Sequence, residues 1–290
     1  VMRVISWNIQ WGRGADGRVN LSRLLDDLSC LGDFDVICLQ EVASRFPGLP
    51  GGAEEDEVAL LRAAFPEHTL IGAPGVDVPH PGGGRSRFGN VVLSRLPVGA
   101  VVRHRLPWPP AKGTPSMPRT AVEAVLMPCS GHPVRIITTH LEYYAADQRM
   151  AQVEKLRQLQ LEAAQWAVTP QSAKEADGPF ARPVWPEAAI VCGDFNFAPD
   201  APEWARMTAV EGGRPVWSDA WFALNPGQPH PPSVGLHGAE WPDHRYCCDY
   251  FFVSRPVLGA LRSVVYDACS AASDHQPVML EVDEAAIAAA

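Results

Sequence analysis

Nine short runs of β-branched and apolar residues recur along the chain: Val4–Trp7, Val36–Leu39, Asn90–Leu93, Ala121–Leu126, Val134–Thr139, Ala189–Cys192, Tyr250–Val253, Leu261–Tyr266 and Pro277–Val282. Gly, Pro, Asp or Ser bounds most of them, as turn residues bound strands. Helical periodicity lies between the runs, in Leu21–Leu31, Glu55–Ala64 and Ala146–Val168, with a shorter helix over Ala201–Val210. In Ala146–Val168 the residues Met150, Val153, Leu156, Leu159, Leu161 and Ala164 line one broad face. Strands outnumber helices, so the pattern predicts packed sheets flanked by helices. Three loops stand out, Gly72–Ser86, Leu106–Pro118 and Thr169–Pro186, and the strand pattern resumes after each. A single domain over residues 1–290 is therefore expected, with the alanine-rich end Ala285–Ala290 frayed.

Polar residues fall in a regular place relative to these runs. Asn8 follows the first and Glu41 the second; His140 follows a third; Asp194 and Asn196 follow a fourth. Two late cases are reversed, with Asp249 before Tyr250–Val253 and Asp274-His275 before Pro277–Val282. If the late strands run antiparallel to the early ones, all of these residues meet at one end of the sheets, which mixed sheets allow. Singly, each has an ordinary reading: Asn8 as a turn former, Glu41 as a solvated carboxylate, His275 as a satisfied core histidine. Together they describe a hydrolytic site. Carboxylate and amide oxygens without thiolates suit a hard cation, Mg²⁺ or Mn²⁺. Such a cation stabilises charge on phosphoryl oxygens, and an adjacent carboxylate can orient or deprotonate water.

The strings Ser6-Trp7-Asn8, Leu39-Gln40-Glu41, Thr139-His140-Leu141, Gly193-Asp194-Phe195-Asn196, Asp249-Tyr250-Phe251-Phe252-Val253 and Ser273-Asp274-His275-Gln276-Pro277-Val278 occur in this order. The series resembles the motifs of the endonuclease/exonuclease/phosphatase superfamily, the deoxyribonuclease-I-like fold, from Arg3 to Val282. The resemblance implies an α/β (α+β) four-layered sandwich, two mixed β-sheets packed face to face with helices outside. It also implies roles: Glu41 as principal metal ligand with Asn8 beside it and Asp274 near the metal. Asp194 would activate water, Asn196 would hold the water or the phosphate, and His275 would contact the scissile phosphate, oriented by Asp249. His140 would complete the catalytic set. It stands where the abasic-site endonuclease branch has Tyr, which argues against close kinship with that branch. The segment Arg87-Phe88-Gly89-Asn90, which supplies an acidic partner in secreted deoxyribonucleases, contains no acid here. Arg119 opens the run Ala121–Leu126 and is a candidate phosphate contact by position alone.

The expected activity is thus metal-dependent hydrolysis of a phosphate ester by in-line attack of water. The alternatives are a nuclease acting on DNA or RNA and a non-catalytic binding protein of the same fold. Net charge is −9, and duplex binding rests mainly on neutralising phosphates with Lys and Arg. Strong duplex DNA binding is therefore not expected, and the partner inferred is a phosphate-ester substrate with no obligate protein partner. The seven cysteines form no CxxC pair and most sit in apolar runs, so reduced core thiols are expected rather than disulfides or a zinc site. No apolar run reaches the roughly 20 residues of a membrane span. The chain opens directly into a strand-like run with no leader pattern, and a cytoplasmic location is the default expectation.

Overall fold

Strand pairing divides the molecule into two mixed six-stranded sheets. The computed structural model describes residues 1–52, 54–129, 131–175 and 177–288. Its early strands are β1 (Met2–Asn8), β2 (Val36–Ser44), β3 (Thr69–Pro79), β4 (Arg85–Ser94), β5 (Val98–Arg105), β6 (Thr120–Leu126), β7 (Val134–His140) and β8 (Ala189–Asp194). A two-residue hairpin, β9 (Val210–Glu211) and β10 (Arg214–Pro215), precedes β11 (Ser218–Asp219), β12 (Asp249–Val253), β13 (Leu261–Tyr266) and β14 (Val278–Val282). The first sheet has the order β13-β14-β1-β2-β4-β3 and the second β11-β12-β8-β7-β6-β5. Each contains one parallel pair, β1 with β2 and β7 with β8, and every other pairing is antiparallel.

Alternation along the strands sets the layers, because successive side chains point to opposite faces. Val4 and Val36 face Ile136 and Ile190 of the other sheet in one buried cluster. Their chain neighbours Ile5, Trp7 and Ile37 turn outward and pack under Leu24 and Leu28 of α1 (Leu21–Leu31). On the far side Ile137 and Val191 lie beneath Val153 and Leu156 of α3 (Ala146–Val168). A short α2 (Glu57–Ala64) precedes β3, while α4 (Pro202–Met207), α5 (Ala220–Leu224) and α6 (Arg255–Leu258) fill the second half. The result is the expected four-layered sandwich.

Register fixes the functional end. In the parallel pairs Asn8 lies level with Gln40, and His140 level with Asp194. Antiparallel β12 puts Asp249 opposite Asp194. Antiparallel β14 pairs Val278 with Ser6, so the segment just before it arrives beside Asn8. The late strands thus run in the direction that brings their leading residues to the same end.

Three expectations need correction. The Gly- and Pro-rich segment 72–86 is mostly strand, as β3 and the start of β4. It survives its prolines because β3 is an edge strand and Pro74 sits at a register shift before Val76. The helix expected over 201–210 closes at Met207, where the chain turns into the β9–β10 hairpin. The tail does not fray through residue 288. Asp283 caps a 3₁₀ turn at Ala285, Ile287 is buried in the inter-sheet core, and the Ala288 N–H donates to the Pro256 carbonyl. Residues 289 and 290 lie outside the described residues.

Candidate active site

The site is built from strand ends that the backbone re-aims. A register shift between Leu39 and Val42 takes Glu41 out of the β2–β4 ladder, and Glu41 adopts a φ of 57°. Bulges turn side chains in this way, and left-handed conformations at residues other than Gly concentrate at functional sites. Asn196, just past β8, has a φ of 53°, and its N–H donates to Asp194 Oδ1 at 2.9 Å. Between the sheets below the site, Gln40 Nε2 donates to Thr138 Oγ1 at 2.8 Å and to Ser6 Oγ at 3.3 Å, which ties the two sheets together.

Asp194 is the hub. Its Oδ2 accepts from Asn8 Nδ2 at 3.0 Å and lies 3.3 Å from His140 Nε2 and 3.6 Å from His275 Nε2. The other ring nitrogen of His275, Nδ1, meets Asp249 Oδ2 at 2.9 Å. Ser233 Oγ donates to that same carboxylate oxygen at 2.6 Å. Asn196 Nδ2 lies 2.9 Å from His140 Nε2, which makes Nε2 the acceptor and leaves the ring proton on Nδ1. That nitrogen faces Glu41 Oε1 at 3.7 Å. Asp274 lies to one side, accepting from Gln10 Nε2 at 2.7 Å and from Ser273 Oγ at 3.2 Å. Two cross-bonds hold the segment carrying His275 against β1: Trp7 Nε1 donates to the His275 carbonyl and Ser273 Oγ to the Asn8 carbonyl.

His140 therefore has acidic neighbours after all, but from β2 and β8 rather than from the 87–90 segment, where Asn90 Nδ2 donates to the Thr120 carbonyl. Glu142 does not serve it: one oxygen faces Arg119 Nε at 3.4 Å and the other accepts from the Tyr144 N–H. Arg119 is buried, and its Nη1 has no partner among the described residues. Arg149 and Gln152 of α3 bond the backbone of 142–143, and so fix the loop that follows His140.

Burial and charge separate the two histidines. Burial alone would depress His275, but the carboxylates of Asp249 and Asp194 outweigh it and hold the ring well above its usual range, protonated. His140 is held well below its usual range by burial, and the charges of Arg119 and His275 add to this, so it is neutral. Burial, reinforced by Asp274, pushes Glu41 up to about 7. Burial also lifts Asp194 to about 6 and raises Asp274.

This arrangement fits a divalent cation. Asp194 and Asp249 flank His275, Glu41 and Asp274 lie within reach of its charge, and Glu142 pairs with Arg119, so carboxylates outnumber the cationic groups. Glu41 meets no closer donor than His140 Nδ1 among the described residues, so its oxygens are free to ligate. Asp194, Cys248 and His275 also bring ligating atoms within 4.8 Å of one another. Burial holds the Cys248 thiol well above its usual range, which works against thiolate ligation. Sequence reasoning missed Ser233 and Gln10. Gln10 stands two residues after Asn8 and could have been weighed with it, whereas Ser233, in a proline-rich loop, carries no local signal.

Two mixed sheets packed face to face, with a carboxylate, amide and imidazole cluster at one rim, define the deoxyribonuclease-I-like class of α/β sandwich. The chain belongs to the Endonuclease/Exonuclease/phosphatase family, whose profile matches residues 5–275. Members of that family are in general hydrolases of phosphate esters that depend on a divalent metal. Among solved structures, a family protein from Beutenbergia cavernae is 21% identical with a TM-score of 0.68, covering 96% of this chain and 70% of its own. The human Nocturnin catalytic domain with a bound sulfate anion is also 21% identical, with a TM-score of 0.62 and coverages of 96% and 92%. A mannosyl-6-phosphatase from Bacteroides thetaiotaomicron is 16% identical, with a TM-score of 0.60 and coverages of 97% and 99%. At these identities the likeness concerns the fold. No curated protein matches the sequence. No described helix is long and apolar enough to cross a membrane.

Proposed function

We propose that this chain, acting as one domain, is a Mg²⁺- or Mn²⁺-dependent phosphoester hydrolase working in the cytoplasm. The observation that carries the reading is the convergence of Asn8, His140 and His275 on one oxygen of Asp194, all within 3.6 Å, with Glu41 facing His140 from the other sheet. Glu41, with Asn8 and Asp274, would hold the cation. When bound, it would withdraw charge from a phosphoryl oxygen and lower the cost of attack.

The chain's own groups do the rest. Asp194 accepts the proton of the attacking water, and Asn8 and Asn196 keep its carboxylate aimed. His275, charged by its two carboxylate neighbours, offers Nε2–H to a phosphoryl oxygen, while Asp249 and Ser233 hold the ring. The unpartnered Arg119 Nη1 supplies a second cationic contact for the phosphate. Neutral His140 accepts from Asn196 and sets where the water sits. Oriented donors of this kind act where charge develops in the transition state.

Glu41→Ala tests the reading. It should abolish hydrolysis and weaken Mg²⁺ binding while the circular dichroism spectrum stays unchanged. Full activity in that variant, or in excess chelator, would remove the proposal.

A further inference from the structure

On the flank of the first sheet, between α2 and the edge strand β3, lies a hollow of about 400 Å³. It is open because its floor lacks side chains. Gly72 and Gly89 lie there, and a Cβ added to Gly72 would meet no atom within 4 Å. Val42, Leu70 and Val91 give the rest of the floor an apolar surface. The volume falls in the range of roughly 300–1,000 Å³ that holds small organic molecules.

The walls are cationic, in a chain whose net charge is −9. Arg62 of α2, Arg87 of β4 and Arg103 of β5 line the hollow, against a single carboxylate, that of Asp56. Asp56 is committed elsewhere: its Oδ1 accepts from Ser44 Oγ at 2.8 Å and from the Ala59 N–H at 3.2 Å. Arg103 Nε donates to the Gly72 carbonyl at 2.6 Å, which fixes its guanidinium at the wall and leaves both Nη groups without a partner among the described residues. Arg62, in the last turn of α2, pairs with no carboxylate among the described residues. Asp77 holds Arg87 only through Nε, at 3.3 Å. Guanidinium forks match the oxygens of a phosphate, and three of them from three elements can share one tetrahedral dianion. A bare ion would leave the apolar floor uncovered, whereas a phosphate attached to a compact organic body uses both surfaces.

We propose that this hollow is a second ligand site, which takes a small phosphorylated organic molecule. Arg62, Arg87 and Arg103 hold its phosphate, and its body lies on the floor around Gly72. The hollow shares no residue with the catalytic cluster, so the assignment stands whether or not that cluster hydrolyses phosphate esters.

Phenylphosphonate, whose C–P bond a phosphoesterase does not cleave, is the probe, and inorganic phosphate is the same anion without a body. Calorimetric titrations in Mg²⁺ buffer compare them on wild type, Arg62→Gln, Arg103→Gln, Gly72→Leu and His275→Ala, the last marking any heat from the catalytic cluster. Wild type and His275→Ala should both bind phenylphosphonate, about tenfold or more tighter than inorganic phosphate because the ring is buried. Arg62→Gln and Arg103→Gln should each weaken phenylphosphonate about tenfold, the loss expected for a charge-assisted hydrogen bond. Gly72→Leu fills the floor, so it should erase the advantage of phenylphosphonate over inorganic phosphate while the melting temperature stays at or above that of wild type. No binding of phenylphosphonate by wild type up to about 10 mM would overturn the assignment. So would binding that vanishes in His275→Ala, or binding that neither the arginine variants nor Gly72→Leu alter. Arginine-dependent co-sedimentation with phosphatidic acid vesicles, without binding of the soluble phosphonate, would overturn the small-molecule reading in favour of a lipid headgroup.

Discussion

The two histidines differ by what surrounds them. His275 sits between two carboxylates, whereas His140 shares Asp194 with it, faces Arg119's charge and is neutral. Removing a contact made only in the transition state lowers kcat without a matching rise in KM. His275→Ala should therefore cost on the order of a thousandfold in kcat, and His140→Ala less. Asp249→Asn should cost less than His275→Ala and move the alkaline limb of the profile to lower pH, because the ring then loses its proton earlier. Profiles of kcat against pH for the three variants decide this, and a greater loss for His140→Ala would reverse the assignment. Away from the site, Glu57 opens α2 with its side chain buried against β2, accepting from the Ala43 N–H at 2.7 Å. Burial pushes its carboxyl from the usual 4.5 of a free glutamate up to about 8. Between these values the folded state keeps a proton that the unfolded chain gives up, so stability falls as pH rises through the interval. Glu57→Gln should make that slope shallower, the raised carboxyls of Glu41 and Asp194 keeping the rest, and stabilise the protein by roughly 1–2 kcal/mol at pH 8. Denaturant titrations of both proteins at pH 5 and pH 8 check it; a wild type equally stable at both would refute the burial argument.

At the scale of elements, the parallel pair β7–β8 aligns His140 with Asp194 only because Gly193 lets the strands approach. Its φ is 138°, and a Cβ there would lie 1.9 Å from the Thr139 carbonyl oxygen. Gly193→Ala should force the strands apart at the site and cost about 3 kcal/mol or more, as overpacking and left-handed strain combine. Thermal unfolding measures this, and a melting temperature within a degree of wild type would contradict the approach as described. The sequence read well where periodicity was clean: α1 and α3 run over the expected residues, and the strands around Asn8, His140 and Asp194 were found from their apolar runs. It read poorly at edges. β3 carries Pro74, Pro79 and two glycines, and β5 is interrupted by Gly99 and ends in Arg103-His104-Arg105, so neither offers the unbroken apolar run of a central strand. The motif residues were visible as polar punctuation after buried strands. Ser233 was not, because its bond to Asp249 depends on a loop whose path no local pattern encodes.

Over the whole molecule, a net charge of −9 opposes long polyanions. The arginines near the rim are largely committed, Arg85 and Arg87 to Asp77 and Arg13 to Glu240. With acidic residues in excess over basic ones, affinity for duplex DNA should be weak at physiological salt, and its salt slope shallow. Fluorescence anisotropy on a labelled duplex across a salt series measures both, and a nanomolar dissociation constant with a steep slope would restore the nuclease reading. The same architecture has a temporal consequence. Asn8 and His275 meet in one site although 267 positions separate them. At about 5–20 residues per second, a ribosome needs roughly 13–53 s to synthesise that interval. Throughout it the emerging chain carries β1, joined after residue 44 by β2, with neither the antiparallel partner of β1 nor the imidazole that completes the cluster. A stalled or truncated product that ends before His275 lacks both that imidazole and β14 and exposes an unpaired strand edge, so quality control meets a chain that is both adhesive and inert.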